Sequence, residues 1–272
     1  ARSKGWCVKR FLPPLVLLLL VPGTLWAPGD LVPVYPSGVV WVVDSASSKG
    51  VRYLTVRVPL DTADLALHWK REDGTPLCHF HALRDYLSGQ GRHLVFAANA
   101  GIYARDYTPL GLHVENGREM EPLNRKQGGG NFFLKPNGVF FVKDRKGRVM
   151  ETEAYAALNM KPDLAVQSGP LLLSNGEIHP RFLPDSDSLY IRSGVGMRSE
   201  TEAMFVLSLS PVNFNDFALF FRDELKCRDA LYLDGALSDF YTSDMGRTGP
   251  GGLYVGMLSV SVPDSSGKDV QK

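Results

Sequence analysis

The feature that most restricts what this chain can fold into is a series of short β-branched or apolar runs, each closed by Gly, Asn, Asp or Pro. Residues 39–43, 51–58, 65–69, 94–98, 111–114, 139–143, 171–174, 203–209, 230–233 and 254–260 form such runs, and their length and punctuation predict strands. Asn116-Gly117, Asn137-Gly138 and Asn175-Gly176 stand between apolar segments, which predicts tight hairpins. Helical spacing occurs at Phe80, Leu83 and Leu87, and again at Phe214, Phe217, Phe221 and Leu225, where Asn213 precedes as an N-cap. The 27 glycines and 18 prolines are spread along all 272 residues, which suits many turns and excludes a helical bundle or coiled coil. The expectation is an α+β fold of mixed, largely antiparallel sheets packed against a few helices. No repeat or Ser-rich linker interrupts it, so residues 28–262 read as a single domain and residues 263–272 as a loose polar tail.

The N-terminus carries an address. Arg2, Lys4, Lys9 and Arg10 precede an apolar run over residues 11–21, and Pro22-Gly23 breaks it. The run is shorter than the roughly 20 residues of a spanning helix unless Thr24, Leu25 and Trp26 extend it. Residues 1–27 therefore read as a secretion signal, cut after Ala27 or kept as an anchor, and the rest is expected in the periplasm or outside the cell. The 30 Lys+Arg against 29 Asp+Glu leave a formal charge of +1, and no basic patch stands out, so nucleic acid is not an expected partner. Contact with a membrane is expected only through an uncleaved N-terminal segment.

Cysteine and motif usage narrows the chemistry. Cys7 precedes the apolar run, and Cys78 and Cys227 either pair in an oxidising space or stand as separate buried thiols. No Cys-x-x-Cys and no Gly-x-Ser-x-Gly occurs, Gly128-Gly129-Gly130 lacks the Lys of a phosphate loop, and Gly194-Val195-Gly196 does not extend to a dinucleotide fingerprint. His79-Phe80-His81 reads as a helix start, and Asp185-Ser186-Asp187-Ser188 as a solvated turn. No metal or other cofactor is expected.

Four segments place polar or small residues at strand ends. They are Asn99-Ala100-Gly101-Ile102-Tyr103, Ala165-Val166-Gln167-Ser168-Gly169-Pro170, Ile191-Arg192-Ser193-Gly194-Val195-Gly196, and Leu231 to Asp239 with Asp234-Gly235 at its centre. A turn or a helix cap explains any one of them; together they read as one cleft. With Pro109-Leu110-Gly111-Leu112 and Gly128-Gly129-Gly130-Asn131-Phe132, these segments resemble the phosphodiester glycosidase family over roughly residues 50 to 260, most closely a bacterial branch. The family's N-G-G turn is similar to Asn99-Ala100-Gly101, its S-G-x-x-L stretch to Ser168-Gly169-Pro170-Leu171-Leu172, its R-[ST]-x-x-G segment to Arg192-Ser193-Gly194-Val195-Gly196, and its D-G-G turn to Asp234-Gly235-Ala236. Ala100 and Ala236 replace glycines of that pattern, and Leu237-Ser238-Asp239 stands where the family often has glycine and serines.

The resemblance implies a hydrolase that cuts a sugar from a sugar phosphodiester at the anomeric carbon, releasing free sugar and a phosphomonoester. Such a reaction passes through an oxocarbenium-like state with a phosphate leaving group, so one carboxylate and an anion clamp suffice. Asp234 is the expected carboxylate, as nucleophile or as base on water, and Arg192 the expected phosphate clamp. Asn99 completes the catalytic set. Gly101, Tyr103, Gln167, Ser168, Gly169, Ser193, Gly235, Ser238 and Asp239 are the expected substrate contacts. Asp239 also competes with Asp106, Glu115 and Glu177 as a second carboxylate. The rival is a non-catalytic carbohydrate or envelope-polymer binding protein that stacks sugars on Tyr103, Tyr107 or Tyr241.

If the N-terminal segment is an export signal, deleting residues 1–27 leaves a soluble chain that keeps its fold, read by circular dichroism and gel filtration. Aggregation of the truncated chain argues that this segment belongs to the core instead.

Overall fold

The computed structural model describes residues 38–44, 50–234, 237–249 and 251–264. Residues 1–27 and the tail beyond Asp264 lie outside them, as do Gly235 and Ala236. Three antiparallel sheets surround one interior. The largest has seven strands in the order Val40–Asp44, Tyr53–Pro59, Glu202–Ser208, Ser193–Ser199, Asp229–Asp234, Leu171–Ser174 and Glu177–Ile178. The second runs Gly246–Arg247, Phe240–Thr242, Arg92–Asn99, Met257–Pro263 and Leu65–His68, and the third Arg118–Glu121, His113–Glu115, Leu164–Ser168, Gly138–Lys143 and Lys146–Glu151.

The apolar runs are continuous, not alternating, because both faces of each sheet are buried. Along Asp229–Asp234, Leu231 and Leu233 enter the central core while Ala230 and Tyr232 face an outer cluster with Phe217, Phe220 and Phe221. Phe96 and Ala98 point inward from the second sheet, while Leu94 and Ala97 meet Phe80, Leu83 and Leu87 of the helix Phe80–Gly89. Phe140 and Val142 point inward from the third, while Val139 and Phe141 pack on Tyr155 of the short helix Thr152–Ala157. Each sheet thus has its own helical cover. At the centre Phe205 of the large sheet meets Phe96 of the second with ring centroids 5.3 Å apart and Phe140 of the third at 6.0 Å.

Local chemistry explains most boundaries. The Asn213 side chain accepts a hydrogen bond from the Asp216 N–H and starts the helix Phe214–Leu219, which widens into a π-helical turn over Phe220–Glu224. Asn116-Gly117 and Asn175-Gly176 adopt the left-handed pairs of a tight hairpin, with φ of 49° and 75° and of 53° and 87°. Asn137-Gly138 does not. Asn137 is buried, donating to the Phe132 carbonyl at 2.8 Å and accepting from Thr152 Oγ1 at 2.9 Å, and Gly138 opens a strand where a Cβ would sit 2.5 Å from the Met150 carbonyl. The turn at that hairpin falls on Asp144-Arg145, which take φ of 49° and 61° without glycine.

Other expectations are refined. The ten expected strands all appear, shifted at their ends, and the coarse expectation of largely antiparallel sheets with few helices holds, with every pairing among the described residues antiparallel. The last strand reaches Pro263, and the Asp264 N–H bonds to Gly91, so the ordered part extends past the expected start of the tail. Cys78 and Cys227 are separate free thiols, the second pushed up to about 12 by burial. His79 precedes the helix and bonds through Nδ1 to the Gly252 carbonyl. Among the described residues no helix is long and apolar enough to cross a membrane, and no group of His, Cys, Asp and Glu is arranged to hold a metal ion.

Because Phe205 is fully buried where the three sheets meet, Phe205→Ala should cost about 3–5 kcal/mol. Its denaturation midpoint should fall in one cooperative transition; a second transition would mean that the sheets do not share one core.

Candidate functional site

The site forms where strands from two sheets end side by side. Asp234 is the last residue of Asp229–Asp234 and Asn99 the last of Arg92–Asn99. The Asn99 amide donates through Nδ2 to Asp234 Oδ2 at 3.0 Å, and its Oδ1 accepts the Asp239 N–H at 2.8 Å. One side chain therefore joins the end of one sheet to the start of the loop that follows the other. The carbonyls there are held by serine hydroxyls: Ser193 Oγ donates to Asp234 O at 3.3 Å, Ser238 Oγ to the same atom, and Ser168 Oγ to Leu233 O at 3.0 Å. A ladder that ends inside the protein leaves backbone acceptors that must find donors, and small hydroxyl residues fit where the sheets converge.

Asp239 is buried completely, yet it is well supplied with donors. Tyr254 Oη donates to Oδ2 and the Gly249 N–H to Oδ1, and Arg247 Nε stands 3.6 Å from Oδ2. Burial holds this carboxyl above the usual carboxylate range, opposed by the Tyr254 hydroxyl first and then by Gly249 and Arg247. Asp234 keeps 8% of its surface exposed. The two acids thus differ in degree: Asp239 is wholly enclosed and held by Gly249 and Tyr254, while Asp234 keeps a small exposed edge.

Tyr103 stands over the same strand ends. Burial, then the charge of Asp234, raises its phenol above its ordinary value, and its ring stacks on Tyr107 at 5.7 Å and 20°. Gly101, with φ of 84°, turns the chain toward Tyr103, and a Cβ there would meet Val166 at 2.8 Å. Gln167 and Gly169 lie beneath. Gln167 Oε1 accepts the N–H groups of Leu112 and Asn124, and its Nε2 donates to Asn124 O and Thr152 Oγ1. A Cβ on Gly169 would sit 2.7 Å from the Phe132 carbonyl. Both hold the floor of the site together by packing and backbone bonds.

Arg192 adjoins Ser193 but faces the opposite way. Only 1% exposed, it donates from Nε to Val212 O at 2.7 Å and from Nη2 to Ser188 O at 2.8 Å, and its guanidinium lies 3.6 Å over the Phe214 ring. That edge of its fork is committed to the backbone, and it pins the segment 188–191 to the helix that covers the large sheet. Of the competing acids, Glu115 bonds His113 Nε2 at 2.8 Å, Asp106 closes its own turn onto Thr108, and Glu177 lies on the edge strand Glu177–Ile178. The four segments therefore do converge through Asn99, Tyr103, Ser168, Ser193, Asp234 and Ser238, while Arg192 supports them from behind.

A groove among the described residues lies elsewhere. About 410 Å³ in volume, it is lined by Leu171, Leu173, Met197, Arg198 and Asp229, and Asp229 begins the strand that Asp234 ends, about 16 Å away by strand rise. The sequence reading overlooked Tyr254 and Arg247, both of which act on Asp239. An available signal was the run Arg247-Thr248-Gly249 followed by Gly251-Gly252, where glycines crowd behind a single cation.

Comparison with known proteins gives the family and the fold. The phosphodiester glycosidase family matches residues 92–255, which hold the groups just described. The Escherichia coli (strain K12) protein YigE, described as uncharacterized, is 39% identical over 180 residues, 66% of this chain and 70% of that protein. The catalytic domain of zebrafish N-acetylglucosamine-1-phosphodiester alpha-N-acetylglucosaminidase, auto-inhibited by its pro-peptide, shares the fold with a TM-score of 0.56 at 15% identity, over 84% of this chain and 83% of that one. A hypothetical protein from Synechocystis does so with a TM-score of 0.52 at 13% identity, over 82% and 62%.

An acid whose pKa is raised by folding loses stability as pH climbs from the ordinary carboxylate range to its folded value. Tyr254→Phe removes the main donor to the charged form of Asp239 and should deepen that loss. Its deficit against the wild type should grow from small below about pH 4 to about 1.5–3 kcal/mol at neutral pH, measured by thermal melts across pH. A deficit independent of pH would show that the bond does not act on the charged carboxylate.

Proposed function

The chain belongs to the phosphodiester glycosidase family, and on that premise we propose that it hydrolyses a sugar phosphodiester at the anomeric carbon, outside the cytoplasm, with Asp234 as the acting carboxylate. What carries the reading is the contrast between the two acids: Asp234 keeps 8% of its surface exposed with one oxygen held by Asn99 Nδ2 at 3.0 Å, whereas Asp239 is wholly enclosed by its own donors. A carboxylate oriented by an amide and kept partly dry is suited to act on a cationic centre.

In the proposed reaction the bond between C1 and the phosphate oxygen breaks, and the electron pair leaves with the phosphate. A phosphomonoester, with a second pKa of about 6, is a competent leaving group near neutral pH without a strong general acid. Water supplies the oxygen that ends on C1. Asp234 either bonds C1 transiently or takes the proton of the attacking water, and its negative charge opposes the positive charge of the oxocarbenium-like state. Asn99 holds the carboxylate, Tyr103 offers its ring to the sugar, and Ser193 and Ser238 fix the strand end. Location outside the cytoplasm rests on the basic and apolar N-terminal segment.

Asp234→Asn tests the assignment, because the amide keeps the shape and removes the charge. Release of free sugar from a sugar phosphodiester should fall by roughly 10²–10⁴-fold with the thermal midpoint nearly unchanged. A variant with wild-type turnover sinks the role of Asp234, and a wild type that binds the compound unchanged favours a carbohydrate-binding protein.

A further inference from the structure

We propose that Arg247, and not Arg192, is the residue that grips the phosphate of the substrate; this deepens the hydrolase reading and rests on it. The argument begins with charge. Asp234 and Asp239 together repel an anionic substrate, so a phosphodiester can approach C1 to Asp234 only where a cation offsets them. Arg247 is the cation that acts on Asp239, and it acts on Tyr254 as well. It therefore stands beside Asp239, the acid that Asn99 joins to Asp234.

Its geometry suits the task. The side chain is 45% exposed while its acidic neighbour is wholly buried, and Nε stands 3.6 Å from Asp239 Oδ2. That carboxylate already has Tyr254 and Gly249 as donors, so Arg247 is not needed to satisfy it. Among the described residues the two Nη groups of Arg247 make no hydrogen bond. The strand Gly246–Arg247, paired with Tyr241 and Thr242 of Phe240–Thr242, fixes the base of the side chain.

The glycines beside it fit an anion site. The guanidinium lies flat against Gly251, where a Cβ would fall 1.9 Å from Nη1 and 2.6 Å from Cζ. Gly251 also takes φ of 79°, which a side chain would strain. A residue with a side chain at that position would displace the fork. A glycine against it and a side chain 45% exposed leave a planar donor pair that two phosphate oxygens can reach. Arg192 has neither feature, since it is buried and its Nε and Nη2 serve backbone carbonyls.

The experiment uses the full chain and two readouts. Turnover is compared on a sugar phosphodiester and on the same sugar bearing a neutral aryl leaving group, and binding of inorganic phosphate is followed by calorimetry. Arg247→Gln and Arg247→Lys should each lower kcat/KM on the phosphodiester by about 10- to 100-fold, with the aryl substrate changed less than twofold, and should weaken phosphate binding by a similar factor. The lysine variant keeps the charge and the fold while losing the fork. Arg228→Gln, at an exposed arginine just before the strand Asp229–Asp234, should leave both rates unchanged and controls for bulk charge. Equal losses on both substrates, unaltered phosphate binding, or no phosphate binding by the wild type overturns the proposal. Phosphate binding that depends on Arg247 without turnover of any sugar phosphodiester would leave Arg247 as the anion site and sink the hydrolase reading instead.

Discussion

Phe205 is where the three sheets become one protein. Its ring meets Phe96 and Phe140, one from each of the other sheets, and Phe240 meets Phe96 from the strand beside it at 5.3 Å. Rings of this size stop separate sheets from sliding past one another, because dense packing makes any shift cost contacts on several sides at once. The register of the large sheet against the second is thereby fixed. The strand ends that carry Asp234 and Asn99 inherit their separation from that packing.

The polar groups at those ends extend the same constraint. Once Leu231 and Leu233 are committed to the core, the chain leaves the sheet at Asp234 with carbonyls that need donors, and Ser168, Ser193 and Ser238 supply them. The Asn99 amide then couples the two sheets electrostatically. A buried Asp239 in an apolar fold would be costly by itself, and two close donors and a cation at its rim offset part of the desolvation. The return is that Gly249, Tyr254 and Arg247 are gathered around one acid, Asp239. The family likeness and the shared fold concern the chain as a whole, and a function is argued from the side chains themselves.

The contrast between the two arginines shows how position in a fold decides the meaning of a residue type. Arg192 sits in a segment that resembles the family pattern and is flanked by small residues, which in one dimension reads as an open fork. In three dimensions the alternation of the strand sends it to the outer face, onto Phe214 and beside Tyr232, where it ties the segment 188–191 to the helical cover. Arg247 stands among glycines in sequence and beside the buried Asp239 in space.

The order of apolar runs and turn residues was enough to determine ten of the seventeen described strands, the two amphipathic helices, the Asn213 cap and the Asn-Gly hairpins at 116 and 175, because each depends on contacts within a few residues. The pairing of Asn99 with Asp234 was legible only as two polar strand ends, since nothing local says that strands 135 residues apart finish together. What the sequence left open is long-range. Whether Asn137-Gly138 turns or enters a strand was decided by Thr152 and Phe132, whether Gln167 meets ligand or loop by Leu112 and Asn124, and whether Asp239 is free or enclosed by Tyr254 and Gly249. In each case the deciding partner arrives through tertiary packing, and a polar group takes its role from whichever donors and acceptors that packing brings within about 3 Å.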